Sequence, residues 1–258
     1  MNPSATPRFA AIDMLRGVAM VWMTVFHFCF DLQHFSYLHT SFYADPFWTV
    51  QRSAIVTLFV LCAGLGQAVA VEQGQSWARF WKRWRQIAGC ALLVSAGSWF
   101  MFPNSFIYFG ILHGMALMLV LARRSAGLGW WLLVAAALSL ALPALAAHAH
   151  AAWPALDFLN DRSFNWLGLI SHKPITEDYA PLFPWFGVMC LGLALGQWLL
   201  RGHSRWLESA GAALLNGPLR APARGLAFLG RWSLSYYMLH QPVMLAGFGL
   251  VGLLRATS

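Results

Sequence analysis

Residues 11–35 read AIDMLRGVAMVWMTVFHFCFDLQHF, and this stretch decides the class of fold. It exceeds the roughly 20 largely apolar residues that an α-helix needs to cross about 30 Å of hydrocarbon. Its polar side chains, together with the apolar Met20, recur at steps of three or four residues, which places them on one helical face. They are Asp13, Arg16, Thr24, His27, Asp31 and His34. The stretch therefore predicts a membrane-spanning helix with a single polar stripe.

The rest of the chain repeats the apolar pattern. Hydrophobic residues make up 59% of the 258 residues and charged residues only 10%, against about 25% charged in a soluble domain. So little polar surface cannot cover a globule in water. The apolar stretches run over 10–31, 51–71, 87–102, 107–122, 128–146, 182–200 and 227–252. They predict an all-α transmembrane bundle of about seven helices, forming a single domain over 1–258, with a tight hairpin at Pro103 and Asn104.

Lysines and arginines predict the orientation of this bundle. With the N-terminus in the cytoplasm, thirteen of them fall inside and four outside, as the positive-inside rule requires. The inside set is Arg8, Arg16, Arg79, Lys82, Arg83, Arg85, Arg123, Arg124, Arg201, Arg205, Arg220, Arg224 and Arg231, and the outside set is Arg52, Arg162, Lys173 and Arg255. The net charge of +8 is therefore a signal of topology and of attraction to anionic membrane lipids, and no nucleic-acid partner is expected. Trp77, Trp81 and Trp84, interleaved with basic residues, predict an amphipathic interfacial segment.

The polar stripe of the first helix carries the functional information. A charged side chain inside the membrane costs about 2.5–3.5 kcal/mol on insertion scales, so it normally faces a partner or a cavity. From Asp13 to Asp31 the stripe covers about 27 Å at helical rise, nearly the whole membrane. We expect Asp13 to pair with Arg16 at the cytoplasmic end and His27 to pair with Asp31 at the outer end.

Other polar residues lie within the apolar stretches. Arg52, His113 and His240 are candidates for lining a substrate cavity, although a hydrogen bond to a neighbouring helix also explains each histidine, and reaching the interface also explains Arg52. The four cysteines show no metal-ligand spacing, and the acidic and histidine residues of 147–181 are spaced irregularly, as in a solvated loop. No metal is expected.

Five blocks of sequence carry a resemblance to a known family. They read RFAAIDMLRGVAMVWMTVFHFCFDL, LFVLCAGLG, IYFGILHGMAL, PLFPWFGVMCLGLALG and LSYYMLHQP. In this order they resemble a bacterial membrane family of unknown function that is similar to the catalytic domain of heparan-alpha-glucosaminide N-acetyltransferase, a lysosomal membrane enzyme. The resemblance implies a multi-pass acyltransferase of the bacterial inner membrane. Such an enzyme takes acetyl-CoA or another acyl-CoA from the cytoplasm and acylates an amine or hydroxyl, usually on a sugar or glycoconjugate, on the far side.

The resemblance and the physical argument favour different histidines as the base. By resemblance, His27 stands where the lysosomal enzyme has an asparagine. The catalytic histidine of the lysosomal enzyme corresponds most closely to His39 of this chain, with His34 the other candidate. From the residues alone, His27 beside Asp31 is the better base, because it lies on the stripe rather than beyond the helix end. We expect Arg16 and Arg231, together with Asp13, to meet the phosphates of the cofactor.

Two other classes of function remain open from the sequence. One is a small-molecule transporter or flippase with the polar stripe as its pathway. The other is a haem- or quinone-binding membrane protein in which His27, His113 and His240 act as ligands. The acceptor, the acyl group and the oligomeric state, a homodimer included, are also open.

Overall fold

A computed structural model describes residues 9–256, and its regular structure is α-helical apart from short 3₁₀ turns and one isolated bridge between Phe109 and Tyr179. Arg8 lies outside the described residues, as does the side chain of Arg255. The helices are α1 (Ala10–His34), α2 (Pro46–Glu72), α3 (Trp77–Met101), α4 (Ile111–Ser125), α5 (Trp131–Ala152), α6 (Leu182–Gly202), α7 (Ser204–Asn216), α8 (Arg220–Arg231) and α9 (Ser233–Ala256).

Six of these helices are long and apolar enough to cross a membrane. They are α1, α2, α4 with the turn that follows it, α5, α6 and α9. The prediction of an all-α polytopic membrane bundle is therefore confirmed. Among the described residues, α3 has the length of a span at 25 residues, but its first turns carry four basic side chains.

Several helices differ from the prediction, in their boundaries or in their number. The segment predicted as interfacial is continuous with α3, which begins at Trp77 rather than at residue 87. Its start is fixed by Ser76, whose hydroxyl accepts a hydrogen bond from the backbone N–H of Arg79 at 3.4 Å. The last predicted stretch, 227–252, is divided between α8 and α9 at Trp232. Helix α7 was not predicted at all.

The chain divides into two compact units. The first contains Met1–Phe59 and Arg205–Ser258, and so combines α1, the first half of α2 and the last three helices. Within it, α1 packs closely on α8, because glycines stand at the contact. A Cβ atom at Gly17 would overlap the carbonyl oxygen of Leu226, and one at Gly230 would overlap that of Asp13. Met20 and Met23 of α1 form a small apolar core with Ile55 of α2.

The second unit runs from Val60 to Ser204. Here Gly64 of α2 lies against the backbone of α6 at Met189, and Gly187 of α6 lies against α5 at Ala136. Small residues at such contacts let membrane helices approach closely. The segment between α5 and α6 folds back to α3 and α4, where Glu177 accepts a hydrogen bond from the Ser105 hydroxyl at 2.5 Å.

Candidate active site

The polar stripe of α1 faces α9 within the first unit. Side-chain hydrogen bonds join the two helices at successive turns. The pairs are Thr24 with Tyr236 at 2.7 Å, His27 with His240 at 2.8 Å, and Asp31 with Gln241 at 2.7 Å. The sequence argument that these α1 residues share one face is therefore confirmed, and each of them forms one hydrogen bond to α9.

His27 and His240 form a direct imidazole pair. Nδ1 of His27 lies 2.8 Å from Nε2 of His240. The ring centroids are 5.0 Å apart and the ring planes differ by 17°. Two nearly parallel rings whose nearest nitrogens are so much closer than their centroids lie edge to edge in roughly one plane. This is the arrangement of an N–H···N hydrogen bond.

The hydrogen bonds of His240 determine which nitrogens carry protons. Nδ1 of His240 lies 2.7 Å from the carbonyl oxygen of Tyr237, which only accepts. His240 Nδ1 therefore carries its proton, and Nε2 of the neutral ring is an acceptor. His27 must then donate from Nδ1, which leaves its Nε2 unprotonated. The pair thus presents one basic nitrogen, His27 Nε2, for which no described residue supplies a hydrogen bond.

Asp31 lies one turn beyond His27 and does not bond to it. Its side chain is 1% exposed, and its Oδ1 accepts a hydrogen bond from Nε2 of Gln241. Its Oδ2 is buried and has no hydrogen-bond partner among the described residues. The predicted bond between His27 and Asp31 is therefore wrong. Spacing of four residues aligns both side chains on one face, but that face meets α9, and each bonds across the helix contact instead.

The other two candidates for the base, His34 and His39, are exposed. His34 is the last residue of α1, so the prediction that it lies beyond the helix end is wrong. His39 lies in the connection between α1 and α2. Arg52 lies in the second turn of α2 and is half-buried. The structure gives the positions of His34, His39 and Arg52, and the roles predicted for them stay predictions.

An ion cluster occupies the other end of α1. Arg16 lies 3.5 Å from Asp13, and Arg231 of α8 lies 3.8 Å from the second oxygen of the same carboxylate. Arg16 also donates to the carbonyl oxygen of Gly230 at 3.5 Å. Among the described residues, two guanidinium groups thus surround one carboxylate. The side chain of Arg231 is 55% exposed, so this cluster fits part of an anionic cofactor, with Arg231 the accessible donor.

His113 belongs to the second unit and has a structural explanation. Its Nδ1 accepts a hydrogen bond from the backbone N–H of Gly110 at 3.3 Å, so Nε2 carries the proton and faces the Ser95 hydroxyl at 3.0 Å. Ser95 in turn donates to the carbonyl oxygen of Ile107 at 2.6 Å. With its basic nitrogen occupied, His113 cannot activate Ser95. The pair instead fixes the turn that joins α3 to α4.

Comparison with known families assigns the chain. A family model described as heparan-alpha-glucosaminide N-acetyltransferase, catalytic, matches residues 8–242. The match extends from the start of the polar stripe through His240 and Gln241. The chain belongs to this family. No curated protein and no solved structure matched it. Membership in the family indicates a membrane acetyltransferase.

Family membership and sequence spacing left three residues of α9 without a role. Tyr236 and Gln241 bond to the stripe, and the carbonyl group of Tyr237 sets the protonation of His240. A signal for these residues was present, since two pairs of polar residues four apart, Tyr236 with His240 and Tyr237 with Gln241, lie in an otherwise apolar stretch. Among the described residues, no group of three or more His, Cys, Asp or Glu side chains could hold a metal ion.

Proposed function

We propose that this family member is an acyl-CoA-dependent acyltransferase of the bacterial inner membrane, with His27 as its general base. It would take an acetyl or other acyl group from acyl-CoA on the cytoplasmic side. It would pass the group to an amine or hydroxyl of a sugar or glycoconjugate on the periplasmic side. The observation that supports this proposal is the His27–His240 pair, because its hydrogen bonds leave one oriented, unprotonated imidazole nitrogen on the half-buried ring of His27.

The chemistry of acyl transfer matches what such a pair supplies. The thioester carbonyl carbon must be attacked by an acceptor N–H or O–H group that loses its proton. His27 Nε2 takes that proton while the new carbon–nitrogen or carbon–oxygen bond forms. The carbon–sulfur bond then breaks, and the leaving thiolate receives the proton as coenzyme A thiol. The cation formed on His27 strengthens its Nδ1–H bond to His240, so His240 stabilises it and holds the ring in place.

The position of His27 along α1 suits transfer across the membrane. It lies 14 residues beyond Asp13, which is about 21 Å at helical rise, and one turn before Asp31. A base at this depth is reachable by donor from one side and acceptor from the other. His39, which the resemblance favoured, lies in an exposed connection, where a base is solvated and less rigidly placed. We therefore keep His27 as the proposed base.

The donor side of the proposal rests on the ion cluster at the start of α1. The phosphates of acyl-CoA need cationic donors, and Arg16 and Arg231 supply two guanidinium groups against the single carboxylate of Asp13. The thirteen-to-four bias of basic residues orients this end toward the cytoplasm. Bound acyl-CoA supplies the activated thioester, and the residues named here hold its anionic end.

The test is acyl transfer by purified protein in lipid nanodiscs, with labelled acetyl-CoA and with hydrolysis measured as well as transfer to acceptor. We expect His27→Ala to lose about 10²-fold or more in rate, the usual contribution of a general base. The matched control is His148→Ala, an exposed histidine of α5 that bonds only to its own helix at Ala144. It should keep the wild-type rate.

Three results would count against the proposal. Near-normal activity of His27→Ala beside an inactive His39→Ala would show that the base is His39. Substrate uptake into proteoliposomes without consumption of acyl-CoA would favour a transporter. A Soret band in the purified protein would favour a haem protein.

A further inference from the structure

An open cleft of about 500 Å³ lies in the second unit, between the beginning of α5 and the end of α6. Its volume is in the range of sites that bind small molecules. Both helices are long and apolar enough to cross a membrane, so this α5–α6 cleft lies where two spans reach a membrane surface. Arg201, which lines the cleft, is one of the basic residues that the positive-inside rule assigns to the cytoplasm. By that orientation the cleft lies at the headgroups of the cytoplasmic leaflet.

The lining of the cleft changes from apolar to polar along α6. Ala194 of α6 and Leu133 of α5 form its apolar part. Arg201 lines it seven residues after Ala194, about 10 Å further along the helix. Between them stand the exposed indole rings of Trp130 and Trp198. An apolar part with a polar rim and tryptophans matches the change from chain to headgroup in a membrane lipid.

The rim presents hydrogen-bonding groups that no described residue occupies. The indole N–H groups of Trp130 and Trp198 can only donate, and neither has an acceptor among the described residues. The ring of His203 lies against Trp198, with centroids 4.2 Å apart, and its nitrogens form no hydrogen bond to a described residue. Gln197 is engaged, because its Nε2 donates to the carbonyl oxygen of Ala126 at 2.7 Å. A phosphate group, which has several acceptor oxygens, suits such a rim.

An ion pair sets the charge of the rim. Nε and Nη2 of Arg201 lie 3.0 and 2.8 Å from the same oxygen of Glu72, Oε1. The Arg201 side chain is still 60% exposed, so its other N–H groups are accessible to a ligand. The second oxygen of Glu72 has no hydrogen-bond donor among the described residues. Together the two side chains are neutral, and they offer a cation and an anion side by side.

We propose that the α5–α6 cleft binds a zwitterionic phospholipid with a primary ammonium group, of the phosphatidylethanolamine type. Its phosphate accepts hydrogen bonds from Arg201 and the indole N–H groups, and its ammonium group meets Glu72. Its acyl chains begin against Leu133 and Ala194. Phosphatidylglycerol has the same phosphate but no ammonium group, so its negative charge lies near Glu72 without a compensating cation. We therefore expect phosphatidylglycerol to bind more weakly. This lipid site goes beyond acyl transfer and does not depend on it.

The experiment is native mass spectrometry of the purified, delipidated full-length protein in detergent. The protein is titrated with phosphatidylethanolamine and with phosphatidylglycerol of identical acyl chains, and the Kd of the first bound lipid is determined for each. The wild type should bind phosphatidylethanolamine about tenfold more tightly. Arg201→Gln removes the cation that meets the phosphate and should weaken binding of both lipids about tenfold. Glu72→Gln removes the partner of the ammonium group and should abolish the preference for phosphatidylethanolamine.

The two variants control for each other, because both break the Arg201–Glu72 ion pair and only their effects on lipid preference differ. A further control is Arg85→Gln, at an exposed arginine of α3 in the same unit, which should change neither Kd. Equal affinity of the wild type for the two lipids would overturn the proposal, and so would unchanged binding in Arg201→Gln. An equal loss in Arg85→Gln and Arg201→Gln would also overturn it, because the lipid would then be held by the basic surface as a whole. Thermal unfolding of each variant is recorded beside the titration.

Discussion

Replacing His240 distinguishes two ways in which this residue can act on His27. It can accept the hydrogen bond from Nδ1, and it can take up a proton. His240→Ala removes the acceptor of the His27 Nδ1–H bond, so the ring of His27 loses its fixed tautomer and orientation. His240→Gln keeps an acceptor, because the amide oxygen of glutamine at this position reaches about as far as Nε2 of the imidazole. Glutamine can receive the hydrogen bond from His27, but it cannot take up a proton.

The size of the effect follows from the 2.8 Å hydrogen bond. In the transition state His27 is becoming a cation, and a hydrogen bond to a charged group contributes about 1.5–3 kcal/mol. Loss of that stabilisation slows the reaction about 10- to 150-fold. We expect His240→Ala to lose kcat by this factor, less than His27→Ala does. His240→Gln should recover to within about tenfold of the wild type.

The assay is steady-state acyl transfer in nanodiscs, with kcat and KM determined separately and thermal unfolding recorded for each variant. The unfolding control matters because His240 is only 8% exposed, and alanine leaves a cavity there. A His240→Gln variant as slow as His240→Ala, at equal thermal stability, would refute an orienting role. A His240→Ala variant at the wild-type rate would refute the imidazole pair as the basic group.

Two predictions concern stability. Gly230→Ala should lower Tm in detergent by the equivalent of about 1–3 kcal/mol, because the new Cβ overlaps the backbone of Asp13. The control is Gly225→Ala, which should not lower Tm, because a Cβ there has nothing within 4 Å. Equal Tm values for the two variants would contradict the close contact of α1 and α8. Burial, and next to it the neighbouring Tyr108, raises the pKa of Tyr179 above its usual value, so the folded state holds this proton more tightly than the unfolded chain does. The resulting stability is fully present below about pH 10 and is lost as the pH rises further. In Tyr179→Phe, the free energy of unfolding should fall less steeply with rising pH above about pH 10. An unchanged slope would contradict a contribution of Tyr179 to this pH dependence.

The membrane spans were predictable because hydropathy is a local property. Each of the six helices that can cross the membrane overlaps a predicted apolar stretch. Boundaries failed where something other than hydropathy sets them. Helix α3 begins at a serine cap ahead of a basic, aromatic segment, and α8 ends at Arg231 although the apolar pattern continues through Trp232. Hydrogen bonds at helix ends are invisible to a hydropathy scale.

The candidate site was predictable only in half. The spacing of His27 and Asp31 places both on one face of α1, and that was correct. Their partners were not predictable from α1, because residues four apart can equally well bond to each other or to a second helix. In the structure both residues bond to the second helix, α9, and His240 lies 213 residues after His27 in the chain. A search for polar residues four apart within 233–242 would have found the pairs Tyr236–His240 and Tyr237–Gln241.

Because the first unit combines the beginning and the end of the chain, its synthesis imposes an order of events. His27 leaves the ribosome 213 residues ahead of His240, an interval of roughly 10–40 s at about 5–20 residues per second. Throughout that interval α1 lacks the helix to which its histidine and carboxylate bond. The oriented base is therefore assembled only after α9 has been synthesised. A nascent chain that stalls before α9 can occupy the membrane without carrying an oriented base.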